Sequence, residues 1–111
     1  MTTPPTGRIP PLTVAAFQQL IRDRYHRTDA ARGTPGTFMW FIEEVGELAT
    51  ALQDNAPGKS STPEQRANLD EEFADVLAWL MTLANINGVD MEAALRKYTA
   101  PPGESVSGVK D

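Results

Sequence analysis

The sequence predicts an all-α protein, a compact bundle of about four helices, and three observations carry that prediction. Apolar residues recur at steps of three and four in two long runs, 38–53 and 69–84. Helix start and stop signals bracket those runs. At 111 residues and 41% hydrophobic content, with few alternating β-branched stretches, the chain suits one helical domain with a modest core.

In chain order, residues 1–11 contain four prolines and one glycine and predict a flexible arm. Thr13 is a suitable N-cap for a first helix over about 14–28, whose apolar positions are Val14, Phe17, Leu20, Ile21 and Tyr25. Arg22, Arg24, His26 and Arg27 lie on its basic face, read either as a solvated face or as one that sends a cation or two to a phosphate chain. Asp29 to Gly36 predicts a loop, with Thr34 or Thr37 capping the next helix. In that helix Phe38, Phe41, Ile42, Val45, Leu48, Ala49 and Leu52 form a stripe expected to face the core. Gly46 inside it costs about 1 kcal/mol relative to alanine. A close helix approach or space for water or phosphate would justify it.

The polar stretch 54–61 predicts a connection able to act as a lid. Thr62-Pro63-Glu64-Gln65 is a capping box with proline in the first turn. The helix that follows has the stripe Leu69, Phe73, Val76, Leu77, Leu80, Leu83 and Ala84 and is expected to stop at Gly88. Asp90 caps a short last helix over 91–98, and residues 101–111 predict a flexible tail.

Within this helical frame the acids are out of place. Glu43, Glu44 and Glu47 crowd one sector of the second helix, where like charges at i, i+3 and i, i+4 repel by a few tenths of a kcal/mol per pair. Glu72 and Asp75 make a second acidic edge on the third. If the two helices pack antiparallel, Glu44, Glu47, Glu72 and Asp75 can converge between them, as carboxylate metal sites in helical bundles do. Four hard oxygen donors favour Mg²⁺ or Mn²⁺ over zinc or copper. The plainer reading is solvating charge. Trp40 and Trp79 flank the acids by one turn each, and either stack on a base or fill a core or an interface.

Composition narrows the partners. Ten basic against 15 acidic residues give a net charge of −5 with no basic cluster, which argues against binding a nucleic acid polymer. With no cysteine there is neither disulfide nor thiolate chemistry. Neither a signal peptide nor an apolar span for a membrane is found, so a cytoplasmic protein is expected.

Glu44-x-x-Glu47 followed 24 residues later by Glu72-x-x-Asp75 resembles the signature of the all-α nucleoside triphosphate pyrophosphohydrolases, the MazG-like family with its dimeric dUTPase and dCTP pyrophosphatase relatives. The likeness extends over about residues 12–98, through Gly36-Thr37-Phe38-x-Trp40, Glu43-Glu44-x-Gly46-Glu47-Leu48, Glu71-Glu72-x-Ala74-Asp75-Val76-Leu77 and Gly88-Val89-Asp90, and implies a helical domain over 12–100. It implies hydrolysis of a (d)NTP to (d)NMP and pyrophosphate as nucleotide-pool house-cleaning. Glu44, Glu47, Glu72 and Asp75 would be Mg²⁺ ligands, with Mn²⁺ as a substitute. It also implies a general base at Glu43, with Glu71 its rival, and a phosphate contact at Lys97, whose plainer role is helix-dipole compensation. Trp40 is the candidate base contact. A homo-oligomer, dimer or dimer of dimers, is implied as well. The basic and aromatic C-terminal segment of several relatives is replaced here by TAPPGESVSGVKD. A phosphoribosyl-ATP pyrophosphohydrolase shares the carboxylate plan, and a non-catalytic helical interaction module is the alternative from another class.

Overall fold

A computed structural model of the chain describes residues 11–99 and Pro101. Apart from Pro11 and Pro101, the expected N-terminal arm and C-terminal tail lie outside the described residues. The described part is all-helical: α1 (Val14–Asp54), α2 (Pro63–Ile86), α3 (Met91–Leu95) and a 3₁₀ turn (Arg96–Tyr98).

The expected caps form. Thr13 accepts a hydrogen bond from the Ala16 amide, Thr62 and Gln65 make a reciprocal capping box, and Asp90 accepts from the Ala93 amide. Gly88, at φ +67°, follows α2 in the left-handed conformation that ends helices.

The loop expected over 29–36 is not there. Helix continues through Asp29, Ala30, Ala31 and Arg32, and the break is confined to Gly33, at φ 78° and ψ 175°. This backbone region is essentially restricted to glycine. Pro35 then falls in the first turn of the second arm, where its missing N–H costs nothing. Thr37 is fully buried inside that arm instead of capping it, and its hydroxyl accepts from Arg32 Nη1 at 3.2 Å. Arg32 Nη1 also reaches Asp29 Oδ1 at 3.3 Å. One guanidinium therefore ties the arm before the kink to the arm after it. A methyl at Gly36 would come within 3.0 Å of Arg32 Cγ, so this glycine makes room for the arginine.

A methyl at Gly33 would meet nothing closer than 4.0 Å, so its cost is backbone strain alone. Gly33→Ala is expected to destabilise the protein by about 1–3 kcal/mol in urea titrations. An unchanged midpoint would show that the kink relaxes freely.

The second arm of α1 and α2 run antiparallel. Asn55 at the end of α1 donates to the Gln65 carbonyl near the start of α2 at 3.1 Å. Thr34 meets Asn87 at the other end. The first arm crosses the C-terminal half of α2, where Gln18 bonds Asn85 at 3.0 Å and the Val89 carbonyl at 2.7 Å.

The packed seam corrects the expected stripes. Among the buried or half-buried positions from 37 to 55 are Thr37, Phe41, Glu44, Leu48, Ala51 and Asn55, and among those on α2 are Leu69, Glu72, Val76, Trp79, Leu83 and Ile86, with Met81, Thr82, Ala84 and Asn85 also buried in the half that the first arm crosses. Both series step by four and three, the seven-residue rhythm of helices packed along a shallow angle. Most of the predicted stripe on α1 turns outward, with Phe38 50% and Ile42 49% exposed; on α2 Phe73, Leu77 and Leu80 turn outward, while Leu69, Val76, Leu83 and Ala84 are buried or half-buried as expected. The second arm of α1 has two adjacent faces able to pack, and the chain covers the one that contains the acids, whereas on α2 the first arm covers part of a second face toward the C-terminal end. Gly46 meets nothing within 4 Å of where a Cβ would stand, so no close approach within the chain requires it.

Candidate active site

Seam positions of packed helices ordinarily hold apolar side chains, and here Glu44 and Glu72 occupy two of them. With Asp75 they offer three carboxylate oxygens within 4.8 Å of one another. Glu72 is buried, and Glu44 half-buried. Glu44 Oε2 and Glu72 Oε2 are both shut off from solvent without a hydrogen-bond donor among the described residues. Glu47 lies against both, close enough to share a proton with either.

Such crowding is unfavourable for charge. Burial, then the charges of Glu47 and Asp75, push Glu44 from its ordinary 4.5 up to about 7. Burial and the same two neighbours push Glu72 upward as well. Buried acceptors with no donor cost free energy. A cation among them converts repulsion into ligation, and the all-oxygen donor set fits a hard divalent ion. The cluster can hold a metal.

The other sequence candidates fall around it. Glu43 and Glu71 are exposed, each one residue before a seam acid. Trp40 and Trp79 meet: their rings stack with centroids 6.1 Å apart and planes at 10°, bridging α1 and α2. Lys97 is on the exposed 3₁₀ turn, with its ammonium 5.3 Å from the Tyr98 ring centroid. His26 is half-buried with Nδ1 unpartnered among the described residues.

Sequence reasoning missed Asp29 and Arg32. Arg32 sits over the Trp79 ring, 5.2 Å from its centroid, while bonded to Asp29 and Thr37. Beside this group a cavity of about 420 Å³ runs from Asp29 to Asp75. The only signal for it in the sequence was the helical spacing Tyr25, Thr28, Asp29, Arg32, which becomes visible once the helix is known to run to residue 32.

An all-helical chain with a carboxylate cluster between antiparallel helices is the architecture by which helical bundles build metal sites. The comparisons narrow this class. The MazG nucleotide pyrophosphohydrolase domain matches residues 34–100, and the chain belongs to that family. It is 33% identical over 90 residues to the dATP/dGTP diphosphohydrolase of Cyanophage S-2L, covering 81% of this chain and 73% of the phage protein. It is 43% and 41% identical over 58 residues to dCTP pyrophosphatase 1 of Homo sapiens and of Bos taurus, covering 49% of this chain. These matches span about a third of the length of the two mammalian proteins, 34% in each case.

Proposed function

We propose that the chain is a Mg²⁺-dependent nucleoside triphosphate pyrophosphohydrolase that converts a (d)NTP to (d)NMP and pyrophosphate in the cytoplasm, with residues 12–100 as the working unit. The observation that carries this reading is the pair of buried, donorless carboxyls of Glu44 and Glu72 beside Asp75, in a chain of the MazG family. Glu44, Glu47, Glu72 and Asp75 would hold the ion. When bound, Mg²⁺ supplies charge neutralisation for phosphate oxygens and a more acidic water.

Glu43 is proposed as general base. Its carboxylate, exposed beside Glu44, takes the proton of the water that attacks the α-phosphorus, while the α–β bridging oxygen departs with pyrophosphate. Trp40 is proposed as a base contact, supported by its partial exposure and its stack on Trp79 one turn from Asp75. Lys97 is proposed to contact the phosphates from the exposed 3₁₀ turn.

A homo-oligomer belongs to the same proposal. Phe38, Ile42, Val45 and Leu52 on α1, and Phe73, Leu77 and Leu80 on α2, stand exposed in the single chain. Each is already about half covered, so covering the rest contributes on the order of 1 kcal/mol per side chain. Light scattering at micromolar concentration is expected to give a dimer or tetramer; a monomer would overturn this part.

The test is pyrophosphate release with Mg²⁺ across dCTP, dATP, dGTP, dTTP, dUTP and their ribonucleotides, with phosphoribosyl-ATP in the same panel. Release from at least one nucleotide is expected. Turnover of phosphoribosyl-ATP alone, or of nothing by the folded protein, would overturn the proposal.

A further inference from the structure

We propose that Asp29 reads the base of the substrate and selects nucleotides whose base carries an exocyclic amine, namely cytosine, adenine and guanine, over thymine and uracil. This deepens the proposed nucleotide hydrolysis and rests on it. The cavity beside the acids is about 420 Å³, within the roughly 300–1,000 Å³ typical of small-ligand sites. Asp75 forms part of its lining, so a ligand seated there lies next to the carboxylate cluster. Tyr25 and Trp79 supply aromatic walls, Trp40 acts on the base through its stack on Trp79, and Ala78 is a small residue of the lining.

Asp29 is 3% exposed and lines the same cavity. Its Oδ1 accepts from Arg32, whereas Oδ2 is buried with no partner among the described residues. A buried acceptor left unpaired is costly, and a ligand that donates to it removes that cost. Amine-bearing bases present such a donor, as in the pairing of aspartate with the cytosine amine. Thymine and uracil have one ring N–H, flanked by two carbonyls that would face the same carboxyl. Sites built around a buried hydrogen-bonding group reject ligands that fail to satisfy it. Asp29 Oδ2 is closed to solvent, so a ligand meets it as the carboxyl turns toward the cavity, while Arg32 stays held by Thr37 and the Trp79 ring.

The experiment is a titration of wild-type protein with dCMP, dAMP, dGMP, dTMP and dUMP, followed by the fluorescence of Trp40 and Trp79, the two tryptophans of the chain. The three amine-bearing monophosphates are expected to bind at least tenfold tighter than the other two. Asp29→Asn, whose amide can also donate, is expected to reduce that ratio to less than threefold. Ala78→Leu, which fills the cavity without touching a polar group, is expected to weaken all five at least tenfold, and it carries the test if Asp29→Asn does not fold. Equal binding of all five by the wild type, a ratio retained in Asp29→Asn, or unchanged affinities in Ala78→Leu would overturn the assignment. Pyrophosphate release is measured in parallel. Base preference without release counts against the reaction alone, and release without base preference counts against Asp29 alone.

Discussion

Glu72→Gln is expected to abolish pyrophosphate release, by at least a thousandfold, while the metal-free protein becomes more stable. The two effects have one cause. In the absence of a cation Glu72 is a buried carboxyl facing Glu44, Glu47 and Asp75, and burial and those neighbours disfavour its charge. Glutamine keeps the shape, removes one charge and brings an amide that can donate to Glu44 Oε2, which otherwise has no donor among the described residues. A gain of about 1 kcal/mol would raise the Tm by roughly 4–8 °C at this size. The same substitution removes a ligand, so the rise in Tm that Mg²⁺ gives the wild type should shrink or vanish. Circular dichroism melts with and without Mg²⁺, beside the release assay, measure all three quantities. A variant that unfolds, or one that still turns over, would mean that Glu72 does not hold the metal.

The second large effect is on pH. Glu44 is raised from 4.5 to about 7 in the folded protein, so between these values the folded state holds a proton that the unfolded chain has already released. Stability from this group is therefore complete below about pH 4.5 and falls as pH rises, levelling off above about 7. Glu72 adds to the fall, since its pKa is raised too. The loss from Glu44 is on the order of 3 kcal/mol at most, because the group is only half-buried and water screens part of the effect. Urea titrations of chelator-treated wild type and Glu44→Gln should diverge across this window, with the wild type losing ground as pH rises. A constant difference between them from pH 4.5 to 7 would rule the effect out. Metal affinity should climb over the same interval, since ligation requires the protons to leave.

Much of this architecture was legible in the sequence, because caps and charge spacing are local signals. Thr13, Thr62 with Gln65, Gly88 and Asp90 all act where the residue types said they would. The convergence of Glu44, Glu72 and Asp75 follows from one spacing on each helix plus antiparallel packing. What the sequence hid was rotation. A helix with apolar residues at 38, 42, 45 and 52 and another strip at 37, 41, 44, 48 and 51 does not announce which strip its own chain will cover. Hydrophobicity favours the first, yet the chain packs the second, acids included. The stretch 29–36 misled for a different reason. Its glycines and proline signal a break, but Ala30, Ala31 and Arg32 are good helix formers, so the break shrinks to Gly33 alone. With it, Asp29 and Arg32 pass from an expected loop to a helix face on the cavity.

The apolar side chains fully buried within the described residues come down to Ile21, Ala51, Leu69, Met81 and Ala84. So small a core contributes little of what folding requires, and the proposed homo-oligomer would supply the remainder. If the chain folds as that oligomer, dilution acts on it as a denaturant does. Its melting temperature should climb with the logarithm of its concentration, and a cell that makes few copies holds a looser molecule than a cell that makes many.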